Sequence, residues 1–510
     1  MQGFTYIDLA ILIIYLVAVL FAGLHFAKKE MTGKEYFKGD GTVPWWVTSV
    51  SIFATLLSPI SFLSLAGNSY AGTWIMWFAQ LGMLLAIPLT IKFFLPIYSK
   101  LDIDTAYHYL ELRFGSKGLR VLGAIMFIIY QVGRMSIIMY LPCMVLGSLT
   151  GINVNILIII MGIIAIIYSY TGGLKSVLWT DFIQGSVLLI GVTFALVYLL
   201  VHLDGGIGAI FTAFATEHKF LAVDQPIFNP NILKDSVFIM IVGAGFNTMS
   251  SYVSSQDIVQ RFTTTTDTKK LNKMMLTNGA LSIFIATVFY LIGTGLYVFY
   301  KQNVLPPAAA QDQIFASYIA FELPVGVTGL LLAAIYAAAQ STLSTGLNSV
   351  ASSWTLDIQE RLTKKELSFE KQTKIGQIVS LIVGIFAIAV AMVLANGGVK
   401  SAYEWFNGFM GLVLGILIGT FILGAFTKVA NTFGAVMAFI ASSGVMVYIK
   451  YFVPAKDVTI WSYSIISIVV SLVIGIPASI LWRKIKNDKS VPAPNTTCLL
   501  YTSDAADDRI

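Results

Sequence analysis

The chain has 510 residues, of which 57% are hydrophobic and 11% charged, with a formal net charge of +6. A soluble domain carries about a quarter charged residues, so the composition excludes a soluble enzyme or nucleic-acid-binding protein and indicates a polytopic membrane protein. Two cysteines (Cys143, Cys498) and four histidines (His25, His108, His202, His218) are too few and too scattered for a disulfide framework or a zinc or iron centre.

Apolar runs of roughly 20 residues cross a bilayer, and about thirteen such spans are predicted along the chain. The first, about 5–26, is too long for a signal-peptide core and has no small-residue cleavage site before Lys28 and Lys29, so it is a retained helix. Ten more are predicted at roughly 43–72, 74–99, 119–150, 152–171, 176–203, 233–258, 275–300, 324–356, 373–395 and 402–426. Two trailing helices are predicted near 429–451 and 459–483. The longest outer loop, about 204–232, is expected to hold a short surface helix. Residues 1–42 form a leading helix and loop. Residues 43–426 form a ten-helix core with halves 43–203 and 233–426, and 427–485 hold the trailing pair. A cytoplasmic tail follows at 486–497. The run CLLYTSDAADD from Cys498 has no hydrophobic periodicity, and 498–510 reads as a translated sequencing adapter rather than native chain.

Lysines and arginines concentrate in alternate loops, including Lys28, Lys29, Lys100, Arg113, Arg120, Arg261, Lys269, Lys270, Lys364 and Lys365. That bias places the N-terminus outside and the C-terminus in the cytoplasm, across a bacterial inner membrane. It also accounts for the positive charge without nucleic acid. Trp45, Trp46, Trp74, Trp77, Trp461 and Trp482 fall near predicted span ends, as an aromatic belt requires.

Within these spans, polar residues mark the places where lipid cannot be the neighbour. Pro59 cannot donate a backbone hydrogen bond and disfavours helix at Ser58. The second span is therefore broken, with carbonyls around Ala54 to Leu57 partly freed, which is tolerated where backbone is buried in protein or lines a wet cavity. The segment from about 233 (GAGFNTMSSYVSSQD) is similarly rich in glycine and hydroxyls. Paired interrupted spans in corresponding positions of two halves point to a midplane binding site.

The run Ala337–Thr345 carries four hydroxyls in five residues, with Ser341, Ser344 and Thr345 on one side of a helix and Thr342 beside them. Asp181 is the only acid in its span and needs a partner. Neutral oxygens beside one carboxylate suit a weakly held monovalent cation, which points to an ion-coupled carrier. A helix-capping Asp181, or one paired with Lys175, is the alternative. Arg134 lies too deep in its span to snorkel; it is a clamp for an anionic solute or a structural partner of a protein carboxylate. Gln80, Ser58 and Ser61 offer donors and acceptors to a polyhydroxylated ligand. Asn247, Ser255, Gln256 and Asp257 are weaker candidates, and Asp257 is close enough in sequence to pair with Arg261.

Taken together, YSYTGGLKSVLWTDFIQG, QDIVQRF (Gln256 to Phe262), AAAQSTLSTGLNS and YFKGDGTVPWW resemble the sodium:solute symporter family over about 5–485. The resemblance implies an all-α integral membrane protein with a LeuT-type fold. That fold has two inverted five-helix repeats, one leading helix and two trailing helices, and works by alternating access driven by sodium. It implies a first sodium held by carbonyls of Ala54, Leu57 and Ala338 and hydroxyls of Ser341 and Thr342. A second would be held by Asp181, Ser341, Ser344 and Thr345. Ser58, Ser61, Gln80 and Arg134 together look like the family's sialic acid branch, with Arg134 on the substrate carboxylate and Phe78 or Phe246 closing the ends of the cavity. Proline, a neutral sugar or another carboxylate is the alternative cargo, and a transporter-like membrane sensor the alternative class. No covalent chemistry is needed. The partners implied are sodium ions, one small anion and the lipid bilayer, with the chain acting as a monomer.

Overall fold

The computed structural model describes residues 5–26, 33–39, 41–303, 313–363, 367–397, 402–454, 457–487 and 492–498. Among these residues all regular structure is helical. The long elements are α1 (Tyr6–Phe26), α2 (Trp45–Leu56), α3 (Pro59–Ala71), α4 (Ile75–Leu101), α5 (Lys117–Thr150) and α6 (Val154–His202). A short helix α7 (Gly206–Thr216) follows, then α8 (Val237–Ser254), α9 (Gln256–Phe262) and α10 (Thr268–Gln302). The rest of the bundle is α11 (Val327–Ser352), α12 (Phe369–Gly397), α13 (Ala402–Phe426), α14 (Thr432–Phe452) and α15 (Tyr463–Lys486). Residues beyond Cys498, where the adapter-like run lies, fall outside the described residues.

Among the described residues, 11 helices are long and apolar enough to span a bilayer, or 12 with α2 and α3 taken as one bent span. The sequence-based count of about thirteen is not confirmed by that number. The expected 152–171 and 176–203 spans both lie in α6, where two helices meet at a break. Gly173 marks the junction, at φ 55° and ψ −166°. This is a conformation glycine adopts readily. A Cβ there would also lie 2.9 Å from the Tyr36 carbonyl oxygen.

Two breaks shape the centre of the bundle. α2 and α3 meet at 62°. Ser58 caps α3 by accepting from the Ser61 amide, and Pro59 occupies the first turn, where its missing N–H costs least. α8 ends at Ser255, which is extended at φ −95° and ψ 116°, and α9 starts anew. The interruption expected near 233–258 is therefore real, and it lies at the end of that span.

α11 is the hub, with 89% of its most apolar window buried, against 22% for α1 and 33% for α12, α14 and α15. The peripheral helices present apolar faces outward, as lipid contact requires. α11 packs against α6, α5, α1 and α12. Of the expected belt tryptophans, Trp46 is well exposed, but Trp74 and Trp461 are buried. Trp74 donates to Thr294 Oγ1 at 2.9 Å, and Trp461 packs with Ala79, Met240 and Ala244. Proximity to a span end in sequence did not determine which tryptophans a neighbouring helix would cover.

Candidate functional site

The break after Leu56 brings backbone and side chains of distant segments together. Pro59 has no N–H for the carbonyl of Thr55, four residues earlier. That oxygen instead accepts from Arg134 at 2.6 Å and from Thr342 Oγ1 at 3.4 Å. Thr342 also donates to the Ala338 carbonyl at 3.1 Å. Ala54, Leu57, Ala338, Ser341 and Thr342 are all buried. The two elements expected to form the first sodium site, the α2–α3 break and α11, thus meet through Thr342.

Asp181, on α6, is wholly buried at the centre of a second cluster. One carboxylate oxygen accepts from Ser341 at 2.7 Å. The other accepts from Ser51 at 2.6 Å, Thr345 at 3.2 Å and Arg261 at 2.6 Å. Ser341 and Thr345 converge on Asp181 as expected. Ser344 is adjacent, but its hydroxyl donates to the Ser341 carbonyl at 3.1 Å. Lys175, the alternative partner, bonds Thr42 at 2.8 Å. Two members were missed by sequence reasoning. Ser51 is one turn before Thr55 on α2, and Arg261 was counted with the cytoplasmic loops. Arg261 is fully buried. Its guanidinium also donates to Ser51 at 2.9 Å, to Thr345 at 2.7 Å and to the backbone carbonyl of Asp257.

Arg134, on α5, is 3% exposed and ion-paired with Asp257. Asp257 therefore gives its side chain to Arg134 and its backbone oxygen to Arg261. Ser255 donates to the remaining Asp257 carboxylate oxygen. A buried guanidinium is tolerable in that company. One of its nitrogens, Nε, is buried with no hydrogen-bond partner. Arg134 forms part of the wall of a cavity of about 130 Å³, with Ser61, Gln80, Tyr130, Thr248, Ser251, Ser255 and Asp257. Leu56, Ile60, Met83, Ile258, Phe406 and Met410 supply the apolar part. Polar groups converging on a concavity with an apolar part suit a small polar molecule.

Of the residues expected at the substrate, Ser61, Gln80 and Arg134 line this cavity, and Ser58, Phe78, Phe246 and Asn247 do not. Ser58 is buried as the cap of α3. Phe78 packs edge-on with Trp77 and Phe220, with centroids 5.5 and 5.9 Å away. Asn247 accepts from Ser464 on α15 at 3.0 Å, and Phe246 packs into the apolar core. Thr248 and Ser251, one and four residues beyond Asn247 on α8, face the cavity in their place.

Away from the cavity, a buried ion-pair network ties α5 to the segments around Glu111 and Asp357. Arg120 holds Asp357 at 2.5 Å and Glu111 at 2.9 Å. Thr105 donates to Asp357 at 2.5 Å, and Arg361 holds Glu111 at 2.9 Å.

Broken helices around a buried polar cluster are the arrangement of carriers with internal binding sites. Residues 36–442 match the Sodium:solute symporter family. The chain is 34% identical over 500 residues to the sodium/sialic acid symporter SiaT of Proteus mirabilis, covering 97% of this chain and 100% of that protein. It is 29% identical to the sodium/sialic acid symporter NanT of Aliivibrio fischeri, covering 97% of each. A solved structure of a substrate-bound, outward-open Na+-coupled sialic acid symporter superposes with a TM-score of 0.87 at 33% identity, over 96% of this chain and 99% of the other. The chain belongs to the sodium:solute symporter family. It is a multi-pass, all-helical membrane transporter of LeuT-type fold, coupled to sodium, and not an enzyme.

Proposed function

We propose that this symporter carries a sialic acid inward together with two sodium ions. The supporting observation is that Arg134, whose Nε has no hydrogen-bond partner, lines the same cavity as Ser61 and Gln80. Nε and its neighbours offer donors to a carboxylate, and the hydroxyls and amide suit a polyhydroxylated ring. The two bacterial relatives and the superposed structure are sialic acid symporters, in keeping with that chemistry.

The first sodium joins the α2–α3 break to α11 through the carbonyls of Ala54, Leu57 and Ala338 and the hydroxyls of Ser341 and Thr342. The second binds at Asp181 with Ser341, Ser344 and Thr345, after Ser344 turns from its own helix. Sodium at the break orders the backbone that Arg134 also grips, so the cavity is completed before the anion arrives. Each ligand then favours the state competent for the other, and the effect is reciprocal. Two sodium ions with one monoanion move one net positive charge inward, which the membrane potential drives by about 2.3 kcal/mol per 100 mV. The N-terminus faces outward, as the loop bias of lysine and arginine indicates. Each chain holds a whole cavity and both cation clusters, so a monomer suffices.

A second reading, a neutral sugar as cargo, is favoured by the Arg134–Asp257 pair, which leaves little net positive charge at the cavity. Thermal stabilisation of the purified protein separates the two. N-acetylneuraminate is expected to stabilise it in sodium but not in potassium, with glucose inert. Stabilisation by glucose and none by the acid selects the second reading.

A further inference from the structure

The Asp181 cluster already contains a cation. Arg261 reaches it from α9, and its guanidinium touches the Asp181 carboxylate, the Ser51 hydroxyl and the Thr345 hydroxyl at 2.6, 2.9 and 2.7 Å. The two hydroxyls each donate to Asp181 and accept from Arg261. One lone pair of each, which a sodium ion would otherwise use, is therefore engaged. Two cations sharing one buried carboxylate at such separations repel strongly, so the guanidinium and a sodium ion exclude one another.

We propose that Arg261 is the resident cation of the Asp181 cluster, and that sodium binds there by replacing it. The inference rests on Asp181 being a sodium site, as proposed above. Exchange of one monovalent cation for another keeps the buried carboxylate compensated throughout, and so avoids the several kcal/mol that an unpaired buried ion costs. The exchange has a mechanical consequence. Arg261 also holds the backbone oxygen of Asp257, and the Asp257 side chain holds Arg134 at the substrate cavity. α9 follows the extended break at Ser255 and leads within a few residues to exposed chain at Thr266 and Asp267. Release of Arg261 removes the bonds from this short helix to Asp181 on α6 and Thr345 on α11, leaving Gln260 on Asn348 at 2.8 Å as a hold on α11. A direct chain of bonded groups therefore connects sodium at Asp181 with the grip on the substrate at Arg134. That chain is the physical contact which coupling between the two sites requires.

A merely structural Arg261 and a competing Arg261 predict opposite effects on sodium affinity. The purified full-length parent, Arg261→Gln, Arg261→Lys and Asp181→Asn are compared by thermal stabilisation against sodium concentration, with potassium holding ionic strength constant. The sodium dependence of N-acetylneuraminate uptake is measured in the same proteins. Arg261→Gln is expected to be less stable in potassium and to need about tenfold less sodium for half-saturation, a coupling of ordinary size. Arg261→Lys keeps the charge but loses the forked donor geometry; it folds more securely and shifts the same way by a smaller factor. Asp181→Asn is expected to reduce the dependence from two sodium ions to one. If Asp181→Asn has that effect but both Arg261 variants weaken sodium binding or leave it unchanged, the competition is overturned while the two-sodium reading stands. If Asp181→Asn leaves the sodium dependence of the parent, no sodium binds there, and both fall.

Discussion

The Thr55 carbonyl lies 2.6 Å from a guanidinium nitrogen of Arg134, 79 residues away in sequence. The bond exists because Pro59 cannot offer that oxygen the amide a regular helix would. The proline breaks the helix and also frees the acceptor that holds the cavity's arginine in place. In Pro59→Ala an amide returns near Thr55 and competes with Arg134. Half-saturation for N-acetylneuraminate is expected to rise about fivefold, the worth of one net hydrogen bond, with thermal stability little changed. Unchanged half-saturation contradicts the link.

Asp257→Asn removes the carboxylate that compensates Arg134 and leaves a buried guanidinium unpaired. Breaking such a pair costs about 3–5 kcal/mol. An anionic substrate on Arg134 replaces part of the lost charge. N-acetylneuraminate is therefore expected to raise the melting temperature of Asp257→Asn more than that of the parent. An equal or smaller rise shows that the substrate does not meet Arg134.

Gly82 on α4 lies where a Cβ would meet the Gly245 amide nitrogen of α8 at 2.5 Å and the Ile241 carbonyl oxygen at 2.8 Å. Both neighbours are backbone, so neither gives way by a rotamer change. Gly82→Ala is expected to destabilise by about 1–3 kcal/mol, as overpacking does. It is also expected to impair transport, because Gln80 on the cavity wall is two residues away. A denaturation series in detergent checks the first effect.

His108, in the short helix His108–Phe114 between α4 and α5, is held neutral. Burial lowers its pKa from 6.5 to about 4, and Arg120 and Arg361 add to the effect against Asp104 and Glu111. Its Nδ1 accepts from the Asp104 amide at 3.3 Å. In the window between those two pKa values the unfolded chain binds a proton that the folded chain does not. Stability is lost as pH falls through that window. His108→Gln is expected to lose less stability than the parent between pH 6.5 and about 4. Parallel melting curves for the two proteins across that range exclude this role.

The spans, the break at Pro59 and the need of Asp181 and Arg134 for partners were legible because lipid leaves polar groups no local escape. The hydroxyls of Ser341 and Thr345 were legible from helical spacing. The partners were harder to read. Arg261 follows a helix break at Ser255, where the apolar run ends, so its charge looked cytoplasmic although α9 turns it back into the core. Arg134 and Asp257 are 123 positions apart, and only tertiary packing decides that Asp257 meets Arg134 with its side chain and Arg261 with its backbone. Asn247 and Phe246 share a polar segment with Thr248 and Ser251, but a rotation of one residue separates core from cavity. The two halves of α6 read as separate spans in the sequence, and they are separate helices meeting at Gly173.

The most direct test is uptake of labelled N-acetylneuraminate into proteoliposomes under an inward sodium gradient, with the membrane potential set by a potassium diffusion gradient. Sodium-coupled symport of the acid predicts saturable uptake that vanishes when potassium replaces sodium outside. It also predicts that an inside-negative potential accelerates uptake and that Arg134→Lys cuts it sharply. Uptake that ignores sodium, or a well-folded, sodium-stabilised protein that carries glucose but not the acid, contradicts it.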